Sequence, residues 1–370
     1  MRHLPTKTSC LNTSNKNKAE VVTKINLPLP ELPNLKRIEI TECENGTVTK
    51  TKNVWSMYKP LIVAYLFQTI QLFFLVLFGN KKYDVVIAED SSLAFVGICL
   101  RMMGKCRTII FYSHGIDLQR FPNPLLNSMY QQLDKFSARN SDIDWALSKI
   151  MLDIRRKQGI SDDRLVWMPA SVPVSSVRRL PKPKYDNRIV FLGVVNEKNG
   201  AHIMVDIMKY VLKKVPAARL DIIGNGDLDE QVKKEIAQKG LQKNIELLGV
   251  KTFEEFCNLL TDYAVGIAPY LDRLDTLTAR SDSMKMRVYL AAGLPVVITE
   301  GFHFSDEIDK YKLGFAVPFN PKSFAEKIII LLSDTKLNNA IRNRALKYSE
   351  EYDIYKIYDR TFTKILNDYK

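Results

Sequence analysis

Short runs of apolar residues alternate with helix-like segments from residue 83 onward. Runs such as YDVVIAED and RTIIFYSHG are typical of buried strands, and the segments between them place apolar residues three and four positions apart. A parallel sheet covered by helices on both faces produces this alternation, because its strands are apolar throughout. The pattern therefore predicts an α/β protein.

A break in the pattern separates two such regions. Residues 171–188 read SVPVSSVRRLPKPKYDNR, with three prolines and no periodicity, and the alternation resumes with RIVFLG. We predict an N-terminal domain over 1–170, a linker over 171–187, a C-terminal domain over 188–345, and a final helix over 346–370 that packs back on the N-terminal domain. The length of 370 residues fits two domains at about 150 residues each.

Residues 60–80, PLIVAYLFQTIQLFFLVLFGN, form one uncharged segment between Lys59 and Lys81. The segment is long enough to span a bilayer. However, polar residues such as Gln68 and Gln71 lie at its centre. A helix buried on the sheet or lying at a membrane surface is therefore favoured over a membrane span, which stays open.

The net charge of +13 lies almost entirely in the first half of the chain. Residues 1–188 hold 28 lysines and arginines against 16 acidic residues, and residues 189–370 hold 26 against 25. Such an excess attracts nucleic acid, acidic lipid headgroups or phosphorylated substrates. Five widely spaced cysteines indicate neither a zinc site nor a disulfide framework and fit a reducing compartment. The opening MRHLPTKTS lacks the features of a signal peptide.

Candidate chemistry lies where strands lead into helices, since ligands of open α/β sheets bind outside the carboxyl ends of the strands. Ser283 is placed to cap a helix that ends at Gly293, with Lys285 in its first turn. Free backbone N–H groups beside a lysine suit a diphosphate, although an ordinary cap and a solvated lysine would use the same residues. The glycines at 193 and 224 fit either a ligand approach or plain tight turns.

The ordered series FLG, ARLDIIGNGDLDEQVKKEIAQKGLQKNIELLG, IAPY, SDSMK and YLAAGLPVV carries a family resemblance. Over residues 186–370 the chain resembles the nucleotide-sugar-binding domain of GT-B glycosyltransferases, particularly family 4 (glycosyl transferases group 1). Tyr270 with Met284 and Lys285 also resembles the xanthan-type glucuronosyltransferase branch. The likeness is weaker over 83–170. It implies the GT-B fold, with two doubly wound Rossmann-like domains facing a cleft.

The resemblance also implies a donor site for a nucleotide diphosphate sugar of the UDP or GDP type. The diphosphate is expected at the helix start, with Lys285 as its cation. No further cofactor and no bound metal are expected. The donor-binding residues that it implies are Gly193, Lys198, Tyr270, Arg280, Ser281, Ser283, Met284 and Lys285.

Two departures from the family lie in the donor region. Val194 and Asn199 stand where family members usually carry an arginine and a lysine on the diphosphate. Either Lys285 carries more of the diphosphate charge, helped by Arg280 or Arg287, or donor binding is impaired.

Two further departures from the family concern its paired glutamates and the start of the chain. The family's paired glutamates, spaced eight residues apart, are replaced by Arg280 and Val288. The resemblance also implies that the chain begins after the first βα unit of such enzymes, so that either the true start lies upstream or part of the acceptor side is lost. Loss of part of the acceptor side would favour a non-catalytic partner or regulatory subunit of a polysaccharide assembly complex.

His114 and Asp117 follow the strand RTIIFYS of the first domain, and the resemblance places sugar contacts there. An aspartate at a strand end could act as a general base on an acceptor hydroxyl in an inverting reaction. Retaining relatives need no such base, so the stereochemistry stays open. A lone histidine is more often structural than catalytic.

The leading hypothesis is a cytoplasmic glycosyltransferase, peripheral at the inner face of the cell membrane. It would transfer a sugar to a membrane-linked or lipid-linked glycan in surface polysaccharide or glycoconjugate synthesis. The basic first half would meet an anionic membrane surface. Nucleic acid is not an expected partner, because no aromatic-interleaved basic motif or helix-turn-helix pattern accompanies the charge.

Overall fold

The computed structural model describes residues 21–28, 36–44, 47–57, 59, 61–113, 121, 123–271 and 282–368. The chain divides into two compact units. The first comprises Met1–Met168 together with Tyr358–Lys370, and the second comprises Pro169–Ile357.

The first unit begins with a three-stranded antiparallel sheet. Its strands are β1 (Val21–Asn26), β2 (Arg37–Glu44) and β3 (Thr47–Trp55), in the order β1-β2-β3. Cys43 on β2 is disulfide-bonded, a bond that the wide spacing of the cysteines did not predict. Three other cysteines, Cys99, Cys106 and Cys257, are free.

A helix and a four-stranded parallel sheet complete the first unit. The sheet has the order β4-β5-β6-β7, and Trp145 at its centre packs edge-on against Tyr358 and Phe362 from the end of the chain. The elements are α1 (Leu61–Leu77), β4 (Tyr83–Ala88), α2 (Ser91–Met102), β5 (Cys106–Ser113), α3 (Pro124–Asn140), β6 (Ile143–Ala146), α4 (Lys149–Lys157) and β7 (Leu165–Trp167).

Residues 60–80 thus contain a helix of 17 residues, α1. Among the helices of the described ranges, none combines the length and apolarity that crossing a bilayer requires.

The second unit is built on a six-stranded sheet in which all neighbouring strands are parallel. Its order is β10-β9-β8-β11-β12-β13. Its elements are β8 (Arg188–Leu192), α5 (Met204–Leu212), β9 (Arg219–Ile223), α6 (Asp229–Gln238), β10 (Ile245–Gly249), α7 (Phe253–Leu260), β11 (Val265–Ala268), α8 (Met284–Ala291), β12 (Val296–Thr299), α9 (His303–Lys310), β13 (Gly314–Val317), α10 (Pro321–Ser333), α11 (Thr335–Ser349) and α12 (Ile354–Asp368), whose residues from Tyr358 belong to the first unit.

The core of the second unit lies on both faces of this sheet. Along β8, Ile189 and Phe191 pack into one hydrophobic cluster, whereas Val190 and Leu192 pack into the other. This is why the strand is apolar at every position after its first. The α/β architecture with parallel sheets confirms the fold class predicted from the sequence.

Strand order also fixes where a ligand can enter the second unit. The chain moves from β8 to β9 and β10 on one side, and continues through β11, β12 and β13 on the other. The direction therefore reverses between β8 and β11. Such a switch point leaves a crevice outside the carboxyl ends of the two strands.

Candidate functional site

The turn after β8 is fixed by two glycines. Gly193 has φ of +148° and Gly224 has φ of +134°, values that side chains other than glycine rarely adopt. The N–H of Gly193 donates to the carbonyl of Ile223 at 2.9 Å. A Cβ at Gly224 would lie 1.9 Å from the Gly193 carbonyl oxygen. The ends of β8 and β9 are therefore packed together backbone against backbone.

The loop that follows is held by an asparagine. Asn199 donates through Nδ2 to the Val194 carbonyl and to Asn196 Oδ1, both at 3.0 Å. Asn199, which stands where the family carries a lysine, therefore has a structural role here. Lys198 has an exposed side chain, and its carbonyl accepts a hydrogen bond from the N–H of Leu271 at 3.1 Å. That bond joins the turn after β8 to the turn after β11.

Helix α8 begins beside these turns, and its N-terminus has no side-chain cap. Ser283 occupies the N-cap position predicted from the sequence but makes no cap hydrogen bond. Its Oγ lies 3.0 Å from the hydroxyl oxygen of Tyr270 instead. The first backbone bond of the helix runs from the Arg287 N–H to the Ser283 carbonyl at 3.2 Å. The N–H groups of residues 284–286 thus precede the hydrogen-bonded part of the helix, where anions bind.

Lys285 lies in the first turn of α8 and is only 8% exposed. Its Nζ lies 4.4 Å from the ring centroid of Tyr270 and 4.7 Å from that of Phe191. Within the described part of the chain, this Nζ has no hydrogen-bond partner. Burial lowers the pKa of Lys285 to about 7. A buried ammonium held only by two ring faces is costly, and an anionic ligand would offset that cost.

Gly193 opens the space next to this ammonium. A Cβ placed on Gly193 would lie 3.4 Å from Lys285 Nζ. Any larger side chain would occupy the volume in front of the cation. Gly193 therefore places no side-chain atom beside the buried Nζ at the turn after β8.

Arg287 is also buried in the same helix, but both of its terminal guanidinium nitrogens have partners. Its guanidinium pairs with Asp282 at 2.8 Å and with Glu307 at 3.2 Å. Its Cζ also lies 3.5 Å from the ring centroid of Tyr352. Burial alone would lower the pKa of Arg287, but the charges of Asp282 and Glu307 outweigh it and raise the pKa. These pairings correct the expectation that Arg287 assists Lys285 on a diphosphate.

The structure brings together four of the residues proposed from the sequence: Gly193, Tyr270, Ser283 and Lys285. Met284 packs, partly buried, against one of the core clusters of the second unit. The predictions for His114, Asp117, Arg280 and Ser281 fall outside the described residues.

Sequence reasoning missed two contributors to the site. Phe191 supplies the second ring beside Lys285. Its position in a uniformly apolar strand gave no signal of such a contact. Asp282 was also missed: it accepts from the Ala170 N–H at 3.1 Å as well as from Arg287, and so ties the segment before α8 to the start of the second unit.

Within the ranges that the structure describes, no three His, Cys, Asp or Glu side chains come together in a way that could hold a metal ion. The expectation that no metal is bound stays a prediction.

The unit that carries Lys285 and the start of α8 matches a known protein family. Residues 175–348 match the family model described as glycosyl transferases group 1. This match covers the second unit almost entirely and confirms the resemblance drawn from FLG, IAPY, SDSMK and YLAAGLPVV.

Sequence identity to individual relatives is low. The colanic acid biosynthesis protein WcaL of Escherichia coli (strain K12) is 25% identical over 245 residues, which are 65% of this chain and 59% of WcaL. The chain thus spans about three fifths of the length of this curated relative.

Solved structures agree on the fold. HepE of Anabaena, solved in complex with UDP, superposes with a TM-score of 0.66 at 13% identity, covering 85% of this chain and 86% of HepE. The pneumococcal O-GlcNAc transferase GtfA, solved with UDP and GlcNAc, gives a TM-score of 0.60 at 14% identity, covering 94% and 70%. The fold is that of the GT-B glycosyltransferases.

Proposed function

We propose that this chain is a glycosyltransferase that moves a sugar from a nucleotide diphosphate sugar to a glycan acceptor in polysaccharide synthesis. The family match over 175–348 supports this, because it covers the unit that carries the Lys285 site. The names of similar proteins support it as well: one belongs to colanic acid biosynthesis, and two solved relatives hold UDP. The donor is expected to be of the UDP or GDP type, and no cofactor beyond it is expected.

The observation that carries the proposal is the unpartnered, buried ammonium of Lys285. A diphosphate placed at the start of α8 would meet this charge and the N–H groups of residues 284–286 together, beside the turn at Gly193. The turns after β8 and β9, which pack together backbone against backbone, lie at the carboxyl ends of the strands, where ligands of open α/β sheets bind.

Lys285 would also assist the chemistry. In the transfer, the acceptor hydroxyl oxygen forms a bond to the anomeric carbon, and the bond from that carbon to the phosphate oxygen breaks. The leaving nucleoside diphosphate takes up negative charge as this happens. A fixed cation stabilises that charge more in the transition state than in the bound donor, which raises the rate. The hydroxyl proton passes to a base, for which Asp117 is the expected residue, or to the leaving diphosphate.

We further propose that the acceptor is membrane-linked or lipid-linked and that the protein works at the inner face of the cell membrane. The basic excess of residues 1–188 supports this, because anionic headgroups attract lysine and arginine. His114 and Asp117 stay predicted contacts of the acceptor side.

The test is thermal unfolding of the purified protein with UDP and with GDP, using Lys285→Met, which keeps an unbranched side chain one atom shorter but removes the charge. One of the two nucleotides should raise the melting temperature of the wild type. Lys285→Met should lose that shift, with its Kd for the nucleotide weakened about tenfold or more because a charge-assisted contact is lost.

Lys233→Met is the matched control, because its ammonium pairs at the surface with Glu230. This variant should respond to nucleotide like the wild type. If neither nucleotide shifts the wild type, or if Lys285→Met responds as fully as Lys233→Met, the proposed donor site is wrong.

A further inference from the structure

Helix α1 in the first unit turns two glutamines toward the protein and leaves many of its apolar residues exposed. Gln68 is buried, and its Nε2 donates to the carbonyls of Pro28 at 2.9 Å and Met57 at 2.7 Å. Gln71 Nε2 donates to the carbonyl of Trp55 at 2.7 Å. These bonds fix the helix to the chain around β1 and β3. Its orientation is therefore determined by specific contacts of the polar side.

The outward side of α1 is apolar along its whole length. Taking about 100° of turn per residue, seven exposed side chains fall within an arc of about 160°. Trp55 is also exposed, and its ring meets that of Phe67 edge-on at 5.9 Å. We call this surface the α1 apolar face; it consists of Trp55, Ile62, Val63, Leu66, Phe67, Ile70, Phe74 and Phe78. A soluble surface helix normally shows the opposite arrangement, and contiguous apolar patches of this kind mark interaction sites.

Charge around the α1 apolar face identifies its partner. Residues 61–77 carry no charge. Exposed Lys59 precedes the helix, and exposed Lys81 and Lys82 follow it. Lys105 adds a further ammonium at this end, donating to the Gly79 carbonyl at 2.7 Å. Lys81 forms an ion pair with Glu42 at 2.8 Å, so not all of this charge is free.

A lipid bilayer fits these features better than a second copy of the chain. A symmetric dimer through this face would bring the flanking lysines of two copies close together, which is unfavourable. An anionic bilayer instead offers apolar chains for the exposed face and negative headgroups for the lysines at both helix ends. An exposed tryptophan suits the boundary between headgroups and chains.

We propose that the α1 apolar face docks on an anionic lipid bilayer, with α1 lying in the plane of the membrane surface. The α1 apolar face would then be the surface through which the proposed glycosyltransferase meets the membrane. Its link to a membrane-linked acceptor rests on the proposed function, but docking itself does not. Docking involves the first unit, whereas nucleotide binding involves the second. The two proposals can therefore fail separately.

The experiment measures binding of the full chain to vesicles of phosphatidylglycerol and phosphatidylethanolamine by co-sedimentation. The wild type should bind, and Leu66→Asp should reduce the vesicle partition coefficient about tenfold because it places a charge within the apolar face. Binding should weaken with added salt, since part of it is electrostatic. Vesicles of phosphatidylcholine alone should bind the wild type less.

Leu125→Asp is the matched control. Leu125 lies on α3 of the same unit and is 70% exposed, compared with 58% for Leu66. The Leu125→Asp variant should leave vesicle binding unchanged. An unchanged melting-temperature shift with nucleotide would show that Leu66→Asp is folded. If nucleotide gives no shift but vesicle binding still depends on Leu66, the donor site fails and the docking surface stands.

Three outcomes would overturn the inference. The wild type could fail to bind anionic vesicles, or Leu125→Asp could lose binding as strongly as Leu66→Asp. Light scattering could also show a wild-type dimer in solution that Leu66→Asp converts to a monomer without affecting vesicle binding. In that case the face is an interface between two copies.

Discussion

Lys285 and Arg287 lie two residues apart in the first turn of α8, and both are buried, yet their surroundings differ. Arg287 is 1% exposed and meets two carboxylates, a tyrosine hydroxyl and aromatic rings. Among the described residues, the contacts of the Lys285 ammonium are two ring faces, with no hydrogen-bond partner. Both cations lose their hydration, but only for Arg287 does the protein itself replace the lost interactions. The contrast separates a structural cation from one that awaits a ligand.

The other buried cations behave like Arg287. Arg155 in the first unit pairs with Asp134 at 2.5 Å and with Asp144 at 3.0 Å. Arg342 in the second unit donates to several backbone carbonyls, including that of Tyr263 at 3.1 Å. Among the described residues, Lys285 is thus the one buried cation without a hydrogen-bond partner. An ionised group left in this state is unusual for a purely structural side chain.

The largest expected effect comes from removing the structural cation. Arg287→Met should lower the free energy of unfolding by about 3–5 kcal/mol, because Asp282 and Glu307 would lose the charge that offsets their burial. Urea denaturation measures this change.

Arg156→Met is the control for Arg287→Met. Arg156 pairs with Asp153 and Asp162 at the surface, so its removal should change stability little. If Arg287→Met were as stable as Arg156→Met, the contrast between the two cations of α8 would not hold.

The fold of the second unit was predictable because its signals are local. Each strand is a short apolar run such as RIVFL, and turns or helices with polar positions separate the strands. The antiparallel sheet of the first unit was not predictable to the same extent. Its strand β3, TVTKTKNVW, is exposed along most of its length and shows no buried pattern. The sequence also showed that residues 60–80 are apolar, but not that Gln68 and Gln71 point inward.

The site was predictable only in part, for a similar reason. Ser283 and Gly293 bracket one short segment that holds Lys285 in its first turn, so the helix start could be predicted directly. The pairing of Arg287 with carboxylates could not be predicted, because one of its partners, Glu307, belongs to another helix twenty residues further along. Pairings between distant elements depend on tertiary packing and have no local signature.

A smaller effect concerns pH. The pKa of Lys285 is lowered from 10.5 to about 7 by burial. Between these values the unfolded chain keeps the proton that the folded chain has lost, so stability should increase as pH rises through this range. Relative to Lys285→Met, the wild type should gain about 1 kcal/mol per pH unit from pH 7 to 9. Urea denaturation of both proteins at several pH values measures the difference.

Nucleotide binding should show the opposite trend, because a diphosphate prefers the charged form of Lys285. Affinity should decline above pH 7, and titration calorimetry in buffers of different ionisation enthalpy should detect proton uptake on binding. A stability difference between wild type and Lys285→Met that stays constant from pH 7 to 9 would show that Lys285 keeps its charge when buried.

The smallest expected effect comes from substitutions of Tyr270, which show whether this residue acts through its ring or its hydroxyl. Tyr270→Phe keeps the ring beside Lys285 and removes only the hydrogen bond to Ser283, so the free energy of unfolding should fall by about 1 kcal/mol. Burial raises the pKa of Tyr270 to about 12, so the hydroxyl stays protonated at neutral pH and has no charge to offer a ligand. Nucleotide affinity should therefore stay within about twofold of the wild type, whereas Tyr270→Leu should weaken it by removing a ring face that stabilises the charged lysine. Calorimetric titration distinguishes the two variants. A loss of affinity in Tyr270→Phe as large as in Lys285→Met would place the hydroxyl on the nucleotide, and Lys285 would then share its task with a neutral donor.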